Sequence, residues 1–292
     1  MRFVAGNFKE ISDEDLPPIQ FSGEGARIEL DRVSYGYDGV PVLRDISLEI
    51  EPGQTVAFVG KTGAGKTTLL SLLSRFDDPD SGEIRIDGRP LHEAPLRRTR
   101  AEFGVVPQGP FLFSMTVGDN LRFGLDALQY DPTIERPLPR ESLMEPGTVR
   151  NIDERVDEAL QMAGLASDID GFPKGLDTLV GERGITLSGG QKQRATIARA
   201  LLVDPRILVL DDALSSVDTK TESAILDHLE TVMSGRTSIV VTHRFNALHR
   251  FDQVFVLQDG RIVERGTHAE LVELGGVYAT MYARQQLAEG LS

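Results

Sequence analysis

The residues best suited to binding phosphate lie together near one end of an apolar run. Gly60-Lys61-Thr62-Gly63-Ala64-Gly65-Lys66-Thr67 fits the pattern G-x-x-x-x-G-K-[ST] and directly follows the apolar residues 55–59. Glycines allow such a loop to point successive N–H groups at phosphate oxygens, and the lysine then reaches the β- and γ-phosphates. The pattern predicts a strand, a phosphate loop and a helix carrying the leucines of 69–73, rather than a merely tight glycine-rich turn.

A second possible anion site lies at Leu187-Ser188-Gly189-Gly190-Gln191. The serine can cap the helix predicted over 192–202, and the paired glycines expose backbone N–H groups at the positive end of that helix. Ser-Gly-Gly before a helix is by itself more often a plain cap. The full pentapeptide is much rarer, and it therefore favours a functional role.

Asp211 follows a third informative run, Ile207-Leu208-Val209-Leu210. An acid at the carboxyl end of a buried strand lies where an α/β sheet opens onto its ligand, and it can hold Mg²⁺ through water. The alternative is a strand-end acid that only caps a turn.

The runs around these motifs predict the elements that position them. Residues 28–33 and 46–50 alternate apolar and polar side chains, and residues 84–88 end in a hairpin-like turn, which together indicate an antiparallel layer. Residues 207–210, 238–241 and 254–257 are continuously apolar, as in strands that are buried on both faces of a parallel sheet. Helical patterns lie between them, so the predicted fold class is α/β.

Composition narrows the function further. The chain has 292 residues, a formal net charge of −14, a pI of about 4.8 and no cysteine. The charge disfavours a long phosphate-backbone contact, so nucleic acid is not expected as a partner. Without cysteine there is no disulfide framework or thiolate metal site. No apolar run approaches the roughly 20 residues that span a bilayer, and we expect the chain alone to be soluble.

Over about residues 27–285 these motifs together resemble the nucleotide-binding domain of an ATP-binding cassette (ABC) transporter. Residues 60–67 match the family's Walker A motif, 187–191 its signature motif and 207–211 its Walker B motif, in the family's order. The resemblance implies a P-loop NTPase (RecA-like) core with an antiparallel β-subdomain and an inserted α-helical subdomain at about 113–190. Residues 1–26 are mixed, acidic and turn-rich, which suggests a linker or N-terminal arm, and residues 286–292 are expected to form a C-terminal tail.

The resemblance assigns roles to individual residues. Tyr37 matches the aromatic residue that stacks on adenine, Gln108 the Q-loop residue, Asp218 the D-loop residue and His243 the switch histidine. The implied catalytic residues are Asp212, His243, Gln108 and Lys66, and the implied Mg²⁺ ligands are Thr67, Gln108 and Asp211. The implied ATP-binding residues are Tyr37, Gly60, Lys61, Thr62, Gly63, Ala64, Gly65, Lys66, Thr67, Thr68, Ser188, Gly189, Gly190, Gln191 and Asp218.

In this family two such domains meet head to tail, and each ATP lies between the phosphate loop of one and the signature helix of the other. The implied partners are therefore a second ABC ATPase domain and membrane-spanning domains, at the cytoplasmic face of the membrane. Residues 178–184 resemble the coupling loop of the family's exporters, which favours an exporter.

Two features depart from the family pattern. Most hydrolytically active members carry Glu after Walker B, whereas this chain has Asp212. In the family that replacement is associated with heterodimeric exporters that have one weak and one active site. The alternative is that Asp212 works adequately. Residues 125–150, which include four prolines, look like an insertion into the helical subdomain, and the sequence gives them no chemistry.

Two other functions remain open at this point. One is a soluble ABC-type ATPase in DNA maintenance or translation, although the long coiled-coil insertion or second cassette of such proteins is not seen here. The other is a nucleotide-dependent clamp that hydrolyses little ATP. The transported substrate cannot be read from this chain.

Overall fold

The computed structural model of the chain describes residues 19, 25–129, 152–181, 185–213, 230, 232–243 and 245–289. Within them a six-stranded sheet in the order β10-β9-β3-β8-β7-β6 forms the core, and a four-stranded antiparallel sheet in the order β2-β1-β4-β5 forms a second layer. The strands are β1 Ile28–Tyr37, β2 Val40–Ile50, β3 Thr55–Val59, β4 Ser81–Ile86, β5 Arg89–Pro90, β6 Phe103–Val106, β7 Ile207–Asp211, β8 Thr237–Val241, β9 Gln253–Gln258 and β10 Arg261–Gly266.

The core sheet is parallel from β9 to β6, and only its edge strand β10 runs antiparallel. Both of its faces are covered. On β3, for example, Ala57 and Val59 pack into one apolar cluster while Val56 and Phe58 pack into another. This double burial explains the continuously apolar runs in the sequence, and it confirms the predicted α/β core.

The antiparallel layer forms because β1, β2 and β4 alternate buried and exposed side chains, so only one face of this sheet is apolar. Its buried face shares a cluster with α1 and with one face of the core sheet. Asp87 and Gly88, both with positive φ, make the turn between β4 and β5, as the hairpin-like pattern predicts.

The remaining elements are helices, most of which lie between strands of the core sheet in sequence. The α-helices are α1 Lys66–Leu73, α2 Leu96–Ala101, α3 Val117–Gln129, α4 Ile152–Met162, α5 Ala166–Asp170, α6 Gly189–Leu202, α7 His268–Leu274 and α8 Val277–Glu289, and the 3-10 helices are Leu91–Glu93, Gly175–Asp177 and Phe245–Arg250.

Helices α3, α4 and α5 lie in the segment predicted as the helical subdomain, and α3 and α4 pack against α6. A Cβ added at Gly124 would lie 3.0 Å from Cγ1 of Val203, so glycine permits the close approach of α3 to the end of α6. The helical layer therefore rests on the same helix that carries the signature motif at its start.

Three predicted boundaries can be compared with the described residues. Ala26, in the segment predicted as a linker, is buried, and its backbone N–H and C=O both hydrogen-bond to the Thr237 hydroxyl. Helix α3 continues to Gln129, into the segment assigned to the insertion, and residues 130–151 lie outside the described residues. Helix α8 continues to Glu289, past the boundary predicted at 285.

None of the helices in the described part of the chain is both long and apolar enough to cross a bilayer.

Candidate nucleotide-binding site

One edge of the core sheet gathers most of the predicted site. The carboxyl ends of parallel strands meet at the same edge, and the phosphate loop follows β3 there. Gln108 follows β6, Asp211 ends β7 and His243 follows β8. Residues far apart in sequence are thus brought to one edge by the order of the strands.

The phosphate loop has the backbone that its glycines permit. Gly60 and Gly65 have φ of 155° and 104°, and Gly65 is the N-cap residue of α1. A Cβ at Gly60 would overlap the carbonyl group of Leu257, and one at Gly65 would lie 2.7 Å from Cδ2 of Leu43. A side chain at Gly60 would therefore displace the backbone of β9, and one at Gly65 would displace the Leu43 side chain; either would also strain the loop.

The Lys66 side chain is buried and hydrogen-bonds to the backbone of its own loop. Its Nζ donates to the carbonyl oxygens of Gly60 at 2.8 Å and Lys61 at 3.1 Å, and only 7% of the residue is exposed. Burial lowers the pKa of Lys66, against the raising effect of the Asp211 and Asp212 charges. The lysine is a buried donor whose partners here are backbone carbonyls, so an anion above the loop would offer it a stronger, charged acceptor.

Thr67 and Asp211 form the adjoining part of the site. The Thr67 hydroxyl donates to Oδ2 of Asp211 over 3.1 Å, although the two residues lie on α1 and β7. Burial raises the pKa of Asp211, while the Thr67 hydrogen bond and the nearby Lys66 and His243 charges lower it. A hydroxyl and a buried carboxylate in contact beside a phosphate loop are oxygen ligands that suit Mg²⁺.

Asp212 and Gln108 meet across the ends of β7 and β6. Nε2 of Gln108 donates to Oδ2 of Asp212 at 3.3 Å. Asp212 has a left-handed backbone with φ of 46°, and its N–H donates to the carbonyl of Val241 over 2.8 Å, which fixes the direction in which its side chain leaves the sheet. His243 is exposed at the end of β8.

Tyr37 lies on the antiparallel layer. It ends β1, is 48% exposed, and its ring packs edge-on against Tyr35 with centroids 5.1 Å apart. The hairpin that it belongs to continues into β2, whose Leu43 packs beside Gly65. An exposed aromatic face is therefore held on the layer that adjoins the phosphate loop.

The signature segment is built as a separate surface. Ser188 and Gln191 form a reciprocal capping box on α6, and this confirms the predicted cap. Nε2 of Gln191 also donates to Asp168 on α5, and Arg194 donates to the other oxygen of the same carboxylate at 2.6 Å. The hydrogen bonds of this segment therefore lead into the helical layer and not to the phosphate loop of the same chain. Asp218 lies outside the described residues, as do residues 182–184 of the predicted coupling loop.

The sequence motifs did not identify the residues that support the signature segment and helix α3. Asp168 lies 23 residues before Gln191, and Arg199 on α6 binds Asn120, which lies 79 residues before it. Neither Asp168 nor Arg199 belongs to a recognisable local sequence pattern. Only the packing of the helices pairs them.

The strand, phosphate loop and helix, with a buried Walker B carboxylate against the threonine of the loop, define a P-loop nucleotide-binding domain. A sequence profile described as ABC transporter matches residues 43–215, more than half of the chain. The chain belongs to the ABC transporter family.

Its relatives include much longer proteins. It is 43% identical over 288 residues to human ATP-binding cassette sub-family B member 6, covering 97% of this chain and 31% of that protein. It is 43% identical over 279 residues to the ATP-dependent lipid A-core flippase of Alkalilimnicola ehrlichii, covering 93% and 44%. A solved structure of a bacterial Atm1-family ABC exporter with ATP bound matches with a TM-score of 0.80 and 38% identity, covering 94% of this chain and 44% of that one. The chain therefore spans less than half the length of these relatives.

Proposed function

We propose that this chain binds Mg·ATP at the edge of its core sheet and hydrolyses it to drive export through membrane-spanning domains. The observation that carries the proposal is the contact between Thr67 and Asp211 beside the buried Lys66. It places a cationic hydrogen-bond donor for phosphate next to a pair of oxygen ligands for a metal ion. The relatives support the coupling to export, because two of them are named as a flippase and an exporter.

Each residue has a role that its position allows. Lys66 and the amides at the start of α1 neutralise the β- and γ-phosphates, Tyr37 stacks on the adenine, and His243 contacts the γ-phosphate from the end of β8. Thr67, Asp211 and Gln108 hold Mg²⁺. When bound, the metal would offset the charge that develops on the phosphate oxygens. Catalysis by this site is therefore positioning together with electrostatic stabilisation.

The signature surface indicates that a second ATP-binding domain completes the site. Gly189 and Gly190 lie at the open N-terminus of α6, with Ser188 at its cap, and the hydrogen bonds of the cap lead away from this chain's own phosphate loop. A helix N-terminus attracts anions. In a head-to-tail dimer this surface would meet the γ-phosphate held by the partner.

Asp212 favours a heterodimer in which this site is the weaker one. Its carboxylate is one methylene closer to the backbone than that of glutamate, and a misplacement of about 1 Å can slow catalysis on the order of a hundredfold. Such a site would bind Mg·ATP through Lys66, Thr67 and Asp211 and yet turn it over slowly. The same chain could still complete the partner's active site through its signature helix.

An aromatic face offers a docking surface for the membrane-spanning domains. It consists of Phe111, Phe113 and Phe123, with ring centroids 4.9 Å and 4.4 Å apart along the series, and Phe111 is 60% exposed. The face follows the Q-loop directly. Exposed apolar side chains that pack on one another in this way mark an interaction surface.

Arg199 ties this aromatic face to the signature helix. Its guanidinium donates to the carbonyl oxygens of Phe111 and Asn120 at 3.0 Å and 2.8 Å and lies about 6 Å from two of the rings. The docking face and α6 would therefore move together. In this arrangement the chain lies at the cytoplasmic face of a membrane.

The test of ATP binding is the Lys66→Ala variant. Losing a charge-assisted donor costs about 1.5–3 kcal/mol, so the affinity for ATP should fall by about ten- to a hundredfold or more. Calorimetric titration with Mg·ATP measures this, with Lys174→Ala, which removes an exposed lysine elsewhere, as the charge-matched control. Undiminished affinity in Lys66→Ala would reject the proposed phosphate site.

A further inference from the structure

The C-terminal helix α8 is fixed to the core sheet by a contact that its own sequence does not supply. The carboxylate of Glu264 on β10 accepts the N–H groups of Val277 and Tyr278 at 2.6 Å and 2.9 Å, and so caps the first turn of α8. A Cβ at Gly276 would overlap this carboxylate, so the glycine is what lets Glu264 approach. The start of α8 therefore has a defined place beside the edge strand.

From that anchor, α8 reaches the chain segment just beyond the predicted switch histidine. Phe245 follows His243 by two residues and is buried, and its ring centroid lies 5.2 Å from that of Tyr278 and 6.2 Å from that of Tyr282. Tyr278 is fully buried, and its hydroxyl lies 2.6 Å from Nδ1 of His268 on α7. Two aromatic rings of α8 thus pack against Phe245.

One hydrogen bond fixes the backbone at the same point. The N–H of Phe245 donates to Oε1 of Gln285 on α8 over 3.0 Å, forty residues along the chain. On the other side of His243, the N–H of Thr242 donates to the carbonyl oxygen of Phe58 on β3 at 3.4 Å. This hydrogen bond is longer than the one between Phe245 and Gln285. His243 itself is exposed at the edge of the sheet, so the position of its ring depends on how the flanking backbone is held.

We propose that Gln285 and the α8 rings are positioning residues that set the place of His243 for ATP hydrolysis. The inference rests on the proposed function, because it assigns to α8 the control of a residue of that site. It predicts that weakening the α8 contact lowers the rate of hydrolysis per bound ATP and leaves ATP affinity in place, since the hydrogen bonds described for Lys66 and Thr67 are to the phosphate loop and to Asp211.

Two substitutions at Gln285 separate the hydrogen bond from the bulk of the side chain. Gln285→Met removes the acceptor at similar size, whereas Gln285→Glu retains an acceptor oxygen.

The assay uses the dimer assembled with the partner ATP-binding domain. The partner's own catalytic carboxylate is neutralised so that only hydrolysis at this chain's site is measured. Single-turnover hydrolysis per bound ATP should then fall about tenfold in Gln285→Met and less than about twofold in Gln285→Glu. Arg284→Met, at the exposed neighbouring position, should match the parent.

Epistasis tells positioning from a general structural defect. If Gln285 acts through His243, the Gln285→Met substitution should have no further effect in a His243→Ala background. The same fractional loss in both backgrounds would overturn the inference. So would equal rates for the parent and Gln285→Met.

Hydrogen exchange of the segment 240–250 gives a readout independent of hydrolysis. It should become faster in Gln285→Met and stay unchanged in Gln285→Glu, and equal protection in all three chains would overturn the inference. Failure of the proposed function would appear differently, as phosphate release or ATP binding that does not respond to Lys66→Ala. Normal sensitivity to Lys66→Ala with no effect at Gln285 rejects only the role of α8.

Discussion

Asp212 occupies a position where the length of a side chain decides its reach. Its left-handed backbone and its N–H bond to Val241 fix where the side chain starts, so the carboxylate cannot extend by moving the chain. Its described partner is the Gln108 amide at 3.3 Å. A glutamate at the same place would carry its carboxylate further from the sheet.

Asp212→Glu should therefore raise hydrolysis at this site by roughly tenfold or more, since general-base positioning is worth about 10²- to 10⁴-fold. Single-turnover hydrolysis measures this in the complete dimer, with the partner's catalytic carboxylate neutralised and its signature helix intact.

Asp204→Glu is the matched control for this change, because Asp204 lies before the amino end of β7 and also has a left-handed φ, of 51°. If the unmodified chain and the Asp212→Glu chain hydrolyse ATP equally fast, Asp212 is a competent base and the weak-site proposal fails.

Tyr37 offers a second test at the scale of one residue. Stacking on adenine needs the aromatic face and not the hydroxyl, so Tyr37→Phe should bind ATP nearly as well as the parent. Tyr37→Ala should lose about five- to a hundredfold in affinity or more, because base stacking on an aromatic side chain is worth about 1–3 kcal/mol. Titration with ATP compares the two variants, and equal affinities would place the adenine elsewhere.

Among the elements, α6 has the most connections to function. Its start presents the signature residues, and its last turns carry Arg199 against the aromatic face. Asp168 links the start of this helix to α5 by accepting from both Gln191 and Arg194, and this carboxylate and its arginine are mostly buried. The orientation of the signature end therefore depends on the helical layer.

Asp168→Ala should lower the free energy of unfolding by about 1–3 kcal/mol, because it leaves the partly buried Arg194 and Gln191 without this acceptor. Urea denaturation measures the change. Asp170→Ala, an exposed acid on the same short helix, should stay within about 0.5 kcal/mol of the parent. Equal stability of the two variants would mean that the Asp168 contacts add nothing to the fold.

The sequence predicts elements well where a local pattern determines them. The phosphate loop between β3 and α1 follows from the order of apolar, glycine and lysine residues, and the cap of α6 follows from Ser188 and Gln191. The contact of Thr67 with Asp211 follows in outline, because two carboxyl ends of parallel strands share an edge. Each of these inferences needs only residues near in sequence or the rule of strand order.

The supporting contacts could not be predicted in this way. Arg199 meets Asn120 because α3 packs on α6, and Gln285 meets Phe245 because β10 fixes the start of α8. Such pairs depend on helix directions that no single segment encodes. A lone arginine or glutamine in a helical pattern also reads as an ordinary surface residue.

At the scale of the whole molecule, the chain carries two halves of a site on separate surfaces. The phosphate loop, Asp211 and Gln108 lie at the edge of the core sheet, whereas the signature residues lead into the helical layer. We therefore propose that the chain completes its ATP sites by pairing with another such domain, and that ATP joins the two domains head to tail.

Complementation between two defective copies of this chain tests the shared site most directly, because each copy carries both a phosphate loop and a signature helix and the test does not need the heterodimeric partner. Lys66→Ala loses the phosphate site and retains the signature helix, while Ser188→Arg binds ATP and places a bulky cation at the helix end that must face the partner's γ-phosphate. Light scattering with Mg·ATP should show that neither variant dimerises alone. Their mixture should form a dimer with one bound ATP, since one complete site remains between them. Two results would contradict the shared site. One is a mixture that stays monomeric although the parent chain dimerises with ATP, and the other is a Ser188→Arg chain that dimerises by itself.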